Sequence, residues 1–311
     1  MEIKELLKRS FIYKCFDHLR EFYRDYVVSF YHRIIPFKSI ISAKYKSVFG
    51  RELNWVNPRD LNEKINWLKL YSDTSMWTLL SDKYRVRDYI KQKGLEEILV
   101  PLYAKWDKAD DIDFSKLPVS FVLKANHGSG DAIIVRDKTK IDEVKIRKEM
   151  KKVLRQKFGY KEGEPHYLGI IPCVIAEQFL EQINDSWTTS IVDYKIWCFS
   201  GKPKYIWACY SRSKDGVYVE TRDLNWGYHP EKSVFTHHYK DGGGVVPRPK
   251  CLNRMIDIAS ILSEGFPQVR VDLYEIDGKV YFGEMTFTSN GGYNNFYTQD
   301  FLNELGDNVL L

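Results

Sequence analysis

RVDLYEIDGKVYFGEMTFTSNGG, residues 270–292, contains two apolar runs on either side of an Asp277-Gly278 pair. An Asp-Gly pair between runs of this kind predicts a β-hairpin. Each run carries one carboxylate, Asp272 in the first and Glu284 in the second, among residues typical of a core. Because a buried carboxylate is costly unless a cation or a metal pairs with it, these two side chains predict a charged ligand.

The length of the turn decides whether the two carboxylates share a face. A two-residue turn would put Glu284 and Asp272 on opposite faces of the hairpin. A three-residue loop from Ile276 to Gly278, with a bulge at Gly278, puts Asp272 opposite Phe282 and leaves Glu284 one diagonal step away on the same face. Diagonal neighbours lie about 7–8 Å apart. We therefore predict the longer loop, with Mg²⁺ of a nucleotide triphosphate held between the carboxylates.

The composition is that of a globular protein. The chain has 311 residues, of which 29% are charged and 44% hydrophobic, so it can bury a core as one large domain or two small ones. No apolar run approaches the roughly 18 residues of a membrane-spanning helix, and the start lacks a signal-peptide core. Five scattered cysteines without C-x-x-C spacing favour a reducing compartment and argue against a zinc site: Cys15, Cys173, Cys198, Cys209 and Cys251.

The net positive charge is concentrated near the start. Residues 1–50 hold ten Lys or Arg and five Asp or Glu, a net charge of 10 − 5 = +5, which equals the +5 of the whole chain. Aromatic residues alternate with these basic ones. One interpretation is a helical packing segment with a solvated basic face; the other is peripheral contact with a membrane surface or another anionic partner. Nucleic acid is not an expected partner, because the rest of the chain adds no net positive charge.

The order of elements predicts an α+β fold with antiparallel sheets, because most strands are joined by short turns and the helices are grouped. Helices are predicted over 60–71, 81–93, 142–158 and 250–264. Ser81 is the predicted N-cap of the second helix and Gly94 its stop. Besides the hairpin, strands are predicted over 119–124, 131–136, 173–180, 190–199, 203–211 and 216–221.

Three further segments suggest a phosphate or nucleotide site. In VLKANHGSGDAIIV, residues 122–135, Lys124 and two glycines can approach a phosphate, although a plain hairpin turn is the alternative. Lys83 is predicted in the first turn of a helix, where a cation opposes the dipole; a surface lysine offset by Asp82 is the alternative. AEQFLE, residues 176–181, could bind a purine and a ribose, or be an ordinary strand exit.

In this order these segments resemble the ATP-grasp superfamily, and more closely the TupA-like ATP-grasp proteins of bacterial surface-polysaccharide gene clusters. The blocks that are similar are LNEKINWLKLY, LSDKYRVRDYI, LKANHGSGD, DYKIWCFSGKPK and the hairpin itself. The resemblance covers about residues 50–305. It implies an ATP-grasp fold, in which two antiparallel-sheet subdomains sandwich ATP, here with a helical N-terminal extension.

The resemblance also implies roles for individual residues. Lys195 and Arg270 would be catalytic, neutralising phosphate and a developing oxyanion. The ATP-binding residues would be Lys83, Lys124, His127, Gly128, Ser129, Gly130, Glu177, Phe179, Glu181 and Asp185, with 127–130 as a flexible lid. The Mg²⁺ ligands would be Asp272, Glu284 and Thr286. Most relatives have Asn where this chain has Thr286, so Asn290 is an alternative ligand.

We expect four parts: a basic helical extension (1–50), a helical part (51–118), and two ATP-grasp subdomains (119–182 and 183–311). The usual N-terminal substrate domain is missing, which leaves the acceptor site open. The implied reaction is ATP-dependent carboxylate-amine ligation in surface-polysaccharide synthesis, in the cytoplasm, joining a hexuronic acid to an amino compound. The alternatives are a glycosyltransferase using Asp111 and Asp113 as a D-x-D motif, a sugar kinase, and a non-catalytic nucleotide-binding module.

Overall fold

The computed structural model describes residues 34–181 and 187–311. Most of the predicted extension, and Asp185, therefore lie outside the described residues. The helices are α1 (Phe37–Phe49), α2 (Leu61–Tyr71), α3 (Ser75–Ser81), α4 (Val86–Gln92), α5 (Glu143–Leu154), α6 (Leu252–Ser263) and α7 (Gln299–Asp307). The strands are β1 (Leu102–Trp106), β2 (Phe121–Ala125), β3 (Ile133–Val135), β4 (Val174–Glu177), β5 (Asp193–Phe199), β6 (Lys202–Ser213), β7 (Gly216–Asp223), β8 (Tyr239–Asp241), β9 (Val269–Ile276) and β10 (Lys279–Thr286).

These strands form two sheets, as the sequence predicts. The smaller sheet has four strands in the order β1-β4-β2-β3, and the larger has six in the order β10-β9-β5-β6-β7-β8. Neighbouring strands are antiparallel except for the pair β7–β8, which is parallel. The α+β class with two mainly antiparallel sheets is thereby confirmed.

Each sheet has its own apolar core. The four-stranded sheet packs against α5, whose buried face contributes Ile146 and Met150. Asp142 begins α5 by accepting a hydrogen bond from the Lys145 amide, as an N-cap residue does. The six-stranded sheet packs in a larger core with α2, α3, α4, α6 and α7.

Of the predicted helix over 81–93, only Val86–Gln92 is helical, as α4; the preceding helix, α3, ends at Ser81. Ser81 is the last residue of α3, not an N-cap. The chain turns at Asp82, whose side chain accepts hydrogen bonds from the amides of Tyr84 and Arg85. Lys83 therefore lies in the turn that precedes α4 and not in the first turn of a longer helix. The error arises because an Asp in a helical pattern can satisfy backbone amides within the chain and open a turn.

The hairpin has a different register from the one predicted. Its turn is the two-residue Asp277-Gly278 with φ of 52° and 73°, as a type I′ turn requires. The bulge occurs instead at Gly283, and it brings Glu284 directly opposite Asp272. The two carboxylates share a face as expected, but by a bulge in the strand and not by a longer loop.

Strand β1 was not predicted; it joins the four-stranded sheet from within the segment 51–118, by pairing with β4. The boundaries of the four predicted parts stay predictions. Within 34–181 and 187–311, the structure has no helix with the length and hydropathy needed to cross a bilayer.

Candidate functional site

A cleft of about 320 Å³, counting the solvent space at its mouth, lies between the two sheets. Its apolar lining comes from Leu99 and Val100 on one side and from Phe282 and Gly283 of the hairpin on the other. Its charged lining consists of Lys83, Arg87, Lys124 and Glu177. Three predicted ATP-binding residues are thus brought together from three separate segments.

Glu177 is the centre of an ion network in this cleft. Lys124 Nζ lies 2.8 Å from one carboxylate oxygen and Arg87 Nη1 3.3 Å from the other. The pairing of β2 with β4 puts Lys124 and Glu177 on adjacent strands. Arg87, four residues after Lys83 and near the start of α4, was missed by the sequence analysis. Two cations paired with a single carboxylate leave positive charge available to an anionic ligand.

The segment predicted to be a free lid is partly tied down. His127 is buried, packs edge-on against Phe158 with 5.6 Å between ring centroids, and lies with Nε2 3.2 Å from the Gln156 carbonyl oxygen. Gly128 contributes its carbonyl as an acceptor for Lys83 Nζ. The flexible lid that the resemblance implies over 127–130 is thus held at His127 by Phe158, an anchor that is distant in sequence. Only Ser129 and Gly130 are exposed.

Burial lowers the pKa of His127 below its ordinary value, and the Gln156 carbonyl and Asp131 only partly offset this effect. His127 is therefore neutral at pH 7, so any contact that it makes with phosphate is a hydrogen bond and not an ion pair.

Two other predicted nucleotide residues point elsewhere. The Arg136 guanidinium lies over the Phe179 ring, 4.7 Å from its centroid, and pairs with Glu181. In the part of the chain that the structure describes, neither Phe179 nor Glu181 lines the cleft. Their assignment to adenine and ribose stays a prediction.

The hairpin contributes a second charged group beside the cleft. Arg270 holds Asp272 with two hydrogen bonds, from Nε at 2.7 Å and from Nη2 at 2.8 Å. Lys195 Nζ lies 2.5 Å from Asp272 Oδ2, because β5 pairs with β9 in the register that puts these two residues opposite each other. Asp272 is only 1% exposed. Both predicted catalytic cations therefore contact a predicted metal ligand.

Asp193 completes this group and was missed by the sequence analysis. It lies two residues before Lys195 on the same face of β5, and its Oδ2 is 2.5 Å from Lys195 Nζ. Its other oxygen is buried without a hydrogen-bond partner. Burial lowers the pKa of Lys195, but Asp193 and Asp272 raise it by more, so this lysine stays charged.

Glu284 is the open member of the group, with 39% of its side chain exposed. Its Oε1 accepts a 2.9 Å hydrogen bond from Thr286 Oγ1, which in turn lies 3.3 Å from Arg270 Nη2. Partial burial acts to raise the pKa of Glu284, but Lys83, Lys195 and Arg270 outweigh it and lower the pKa to about 2. Glu284 is therefore a carboxylate at any physiological pH.

The donor set fits Mg²⁺ bound together with phosphate. Asp272 and Glu284 supply hard oxygen donors opposite each other, and the unpartnered oxygen of Asp193 adds unsatisfied negative charge nearby. In the described residues, no three His, Cys, Asp or Glu side chains form a preformed metal cluster, but Mg²⁺ commonly takes only one or two carboxylates plus phosphate oxygens. The Thr286 hydroxyl orients Glu284, and its role as a ligand stays a prediction.

The D-x-D segment has a local structural role. Asp113 accepts hydrogen bonds from the amide and hydroxyl of Ser115 and pairs with Lys116. These contacts cap a turn on the surface. They give no support to a metal site for a sugar nucleotide.

The family of the chain follows from its sequence as a whole. A model of the TupA-like ATP-grasp family matches residues 63–310. The match spans most of the chain, and the chain belongs to this family. The predicted ATP-grasp fold is thereby confirmed. No curated protein matches the chain.

Similar solved structures include ATP-grasp ligases. D-Alanine–D-alanine ligase from Bacillus anthracis complexed with ATP is 18% identical, with a TM-score of 0.39, over 67% of this chain and 55% of the ligase. The same ligase from Helicobacter pylori is 15% identical, with a TM-score of 0.41, over 81% of this chain and 67% of the ligase. D-Cycloserine synthetase DcsG is 14% identical, with a TM-score of 0.39, over 75% of this chain and 70% of that one. The chain thus spans little more than half the length of the first of these.

Proposed function

We propose that the protein is an ATP-dependent carboxylate-amine ligase. The observation that supports this most is the charged group of Lys195, Arg270, Asp272 and Glu284 beside a cleft that contains Lys83 and Lys124. Phosphoryl transfer depends on positioned cations and on compensation of phosphate charge. Family membership supports the same reaction class.

In the first step, Lys83 and Lys124 bind the ATP phosphates within the cleft. An oxygen of the substrate carboxylate attacks the γ-phosphorus, the bond to the ADP oxygen breaks, and an acylphosphate forms. Arg270 and Lys195, both buried, are held by Asp272 and face the developing negative charge without reorganisation. Asp272 and Glu284 would hold Mg²⁺, which when bound supplies further charge neutralisation at the phosphates.

In the second step, an amine attacks the carbonyl carbon of the acylphosphate. The carbon–nitrogen bond forms, the bond to the phosphate oxygen breaks, and the products are an amide and inorganic phosphate. ADP and free phosphate are therefore released together. A sugar kinase with the same first half would instead release ADP and a phosphorylated sugar.

We further propose a hexuronic acid as the carboxylate and an amino acid or other amino compound as the amine, in the synthesis of a bacterial surface polysaccharide. The support is the resemblance to proteins of polysaccharide gene clusters. A location in the cytoplasm fits the need for ATP and the free thiols of Cys173, Cys198, Cys209 and Cys251. Contact of residues 1–50 with the inner face of the membrane is part of the same proposal and rests on their basic and aromatic composition.

The test is to incubate the protein with ATP, Mg²⁺, a panel of hexuronic acids including D-glucuronate and D-galacturonate, and hydroxylamine. We expect hexuronate-dependent release of ADP and phosphate, and an acyl hydroxamate detected as its ferric complex. Glu284→Gln should abolish both, whereas Glu143→Gln, which alters an exposed carboxylate of α5 outside the cleft, should not. A phosphorylated sugar would establish the kinase instead, and cleavage of a sugar nucleotide without ATP would establish the glycosyltransferase.

A further inference from the structure

A buried carboxylate that the proposed phosphate chemistry does not use lies beside the catalytic cations. Glu164 is 8% exposed, and its Oε1 accepts a 2.5 Å hydrogen bond from Thr288 Oγ1. The next residue, Ser289, accepts a 2.7 Å hydrogen bond from Arg270 Nη1. Because Thr288 and Ser289 are adjacent in the turn after the hairpin, they bring Glu164 and Arg270 to the same end of the site.

The position of Tyr167 links Glu164 with the open metal ligand. Burial, and then the charges of Glu164 and Glu284, raise the pKa of the Tyr167 phenol, while Arg270 acts in the opposite direction. The phenol therefore lies within electrostatic reach of both carboxylates and of the guanidinium. The geometric link between Glu164 and the catalytic cations is the pair of adjacent hydroxyl residues, Thr288 bound to Glu164 and Ser289 bound to Arg270.

Glu164 lacks a direct cationic partner of its own. Lys69, a buried lysine whose charge acts on Glu164, donates its three hydrogen bonds elsewhere, to Asn66 Oδ1 at 2.8 Å, to the Glu162 carbonyl at 3.1 Å and to the Gly291 carbonyl at 2.5 Å. Among the residues that the structure describes, no lysine or arginine forms an ion pair with Glu164. Burial raises the pKa of Glu164, and Lys69, Thr288 and Lys44 only partly offset the effect.

The backbone around Glu164 is held from several sides. The Glu164 amide donates a 2.7 Å hydrogen bond to the Gly159 carbonyl. Thr78 Oγ1 of α3 donates one of 2.8 Å to the His166 carbonyl, and Gly163 packs against Ile41 of α1 closely enough that a Cβ there would lie 2.5 Å from the isoleucine side chain. The carboxylate is therefore presented from a fixed segment, as a catalytic group requires.

A buried carboxylate without a cationic partner favours a cationic ligand. The ligase reaction has one such substrate group at this end of the site, the ammonium of the incoming amine. We propose that Glu164 binds the ammonium group of a primary-amine substrate and is its general base, an inference that rests on the ligase function proposed above.

In this step the Glu164 carboxylate takes one proton from the ammonium and leaves a neutral amine. The nitrogen lone pair forms the bond to the acyl carbon, and the bond from that carbon to the phosphate oxygen breaks. The second nitrogen proton leaves with the phosphate, and Glu164 later returns its proton to water. Proton removal by a positioned base contributes about 10²–10⁴-fold in rate.

The experiment compares nucleophiles that do and do not need a base. Wild-type protein and Glu164→Gln are given ATP, Mg²⁺ and the same hexuronic acids, with either hydroxylamine, which is largely neutral at pH 7, or a panel of protonated primary amines made of the amino acids and ethanolamine. We expect Glu164→Gln to form hydroxamate at close to the wild-type rate and to form amide about 10²–10⁴-fold more slowly. Glu162→Gln, which alters a neighbouring carboxylate that pairs with Lys44, should change neither rate.

The possible outcomes distinguish a failure of the proposed ligase function from a failure of the role proposed for Glu164. Absence of hydroxamate with the wild type overturns the ligase function and, with it, this inference. Hydroxamate from the wild type but equal loss of hydroxamate and amide in Glu164→Gln assigns Glu164 to structure or to the phosphate step and overturns the proposal. Unchanged amide formation in Glu164→Gln, or no amide from any amine of the panel, overturns it as well.

Discussion

Gly283 should be the residue of the hairpin that is least tolerant of a methyl group. A Cβ at this position would lie 2.9 Å from the Asp272 carbonyl oxygen and 3.2 Å from the Tyr274 ring. The first contact is with backbone, so the strand itself has to move. Because the bulge at Gly283 is what brings Glu284 opposite Asp272, such a movement changes the separation of the two carboxylates.

The expected loss of folding stability for Gly283→Ala can be compared with that for Gly278→Ala in the same hairpin. Overpacking by one methyl group costs about 1–3 kcal/mol, which is the expected loss for Gly283→Ala. Gly278→Ala is the matched control: its φ of 73° costs a side chain about 1–2 kcal/mol, but a Cβ there meets no atom within 4 Å. The two variants should therefore lose similar stability for different reasons.

Only Gly283→Ala should weaken nucleotide binding, since Gly283 lines the cleft and Gly278 does not line it among the described residues. Suppose that Gly283→Ala introduces about 3 kcal/mol of strain and that half of it is relieved when the nucleotide leaves. The dissociation constant of the variant for ATP is then about tenfold higher than that of the wild type. Urea unfolding gives the stabilities, and titration with a fluorescent ATP analogue gives the affinities. Equal affinities for the two variants would refute the assignment of the bulge to the site.

Three other predictions concern charge and the loop. Glu284→Gln should leave the protein folded and abolish ATP turnover, whereas Asp272→Asn should also lose about 3–5 kcal/mol of stability, because it leaves two buried cations without their anion. Near-normal turnover of either variant at ordinary Mg²⁺ would contradict the metal assignment. Gly130→Val should weaken ATP binding in a titration without unfolding the protein, since φ is 77° there, and normal affinity would remove this loop from the site. Burial, and then Lys69, lower the pKa of His166 from 6.5 to about 3. Between these two pH values only the unfolded chain binds the proton, so the free energy of unfolding falls with falling pH by up to about 1.4 kcal/mol per pH unit. His166→Phe should remove this contribution to the pH dependence, as measured by urea unfolding at pH 5 and pH 7.

The hairpin shows what periodicity can and cannot predict. Alternation of apolar residues and the Asp277-Gly278 pair were enough to predict two strands joined by a tight turn. The shared face of Asp272 and Glu284 was predicted from a three-residue loop, whereas it results from the bulge at Gly283. The location of the bulge could not be predicted, because it depends on how closely the Asp272 carbonyl approaches Gly283 in the folded sheet. A local sequence pattern contains no information on that approach.

Of the site residues that the sequence analysis missed, some could have been predicted from their spacing and others could not. Asp193 could have been found from spacing alone, since it lies on the same face of β5 as Lys195. This is not true of Arg87, because Lys83 lies in the turn before α4 and not in that helix. Glu164 could not be found in this way either, because it belongs to an irregular segment with no periodicity, and its partner Thr288 lies 124 residues away. Strand β1 was missed for the same reason: its pairing with β4 is a long-range contact.

Helix α2 ties the last part of the chain to one of its earliest described elements. Asn66 and Lys69 donate to the carbonyls of Gly292 and Gly291, at sequence separations of 226 and 222 residues. Lys64 donates to the carbonyls at the end of α7, 242 and 245 residues away. Contacts of this span form late, since the long loop between the partners must close first. On the ribosome, then, a nascent chain can complete its four-stranded sheet, whose last strand ends at Glu177, before the partners of α2 at residues 291–292 and 306–309 have been synthesised.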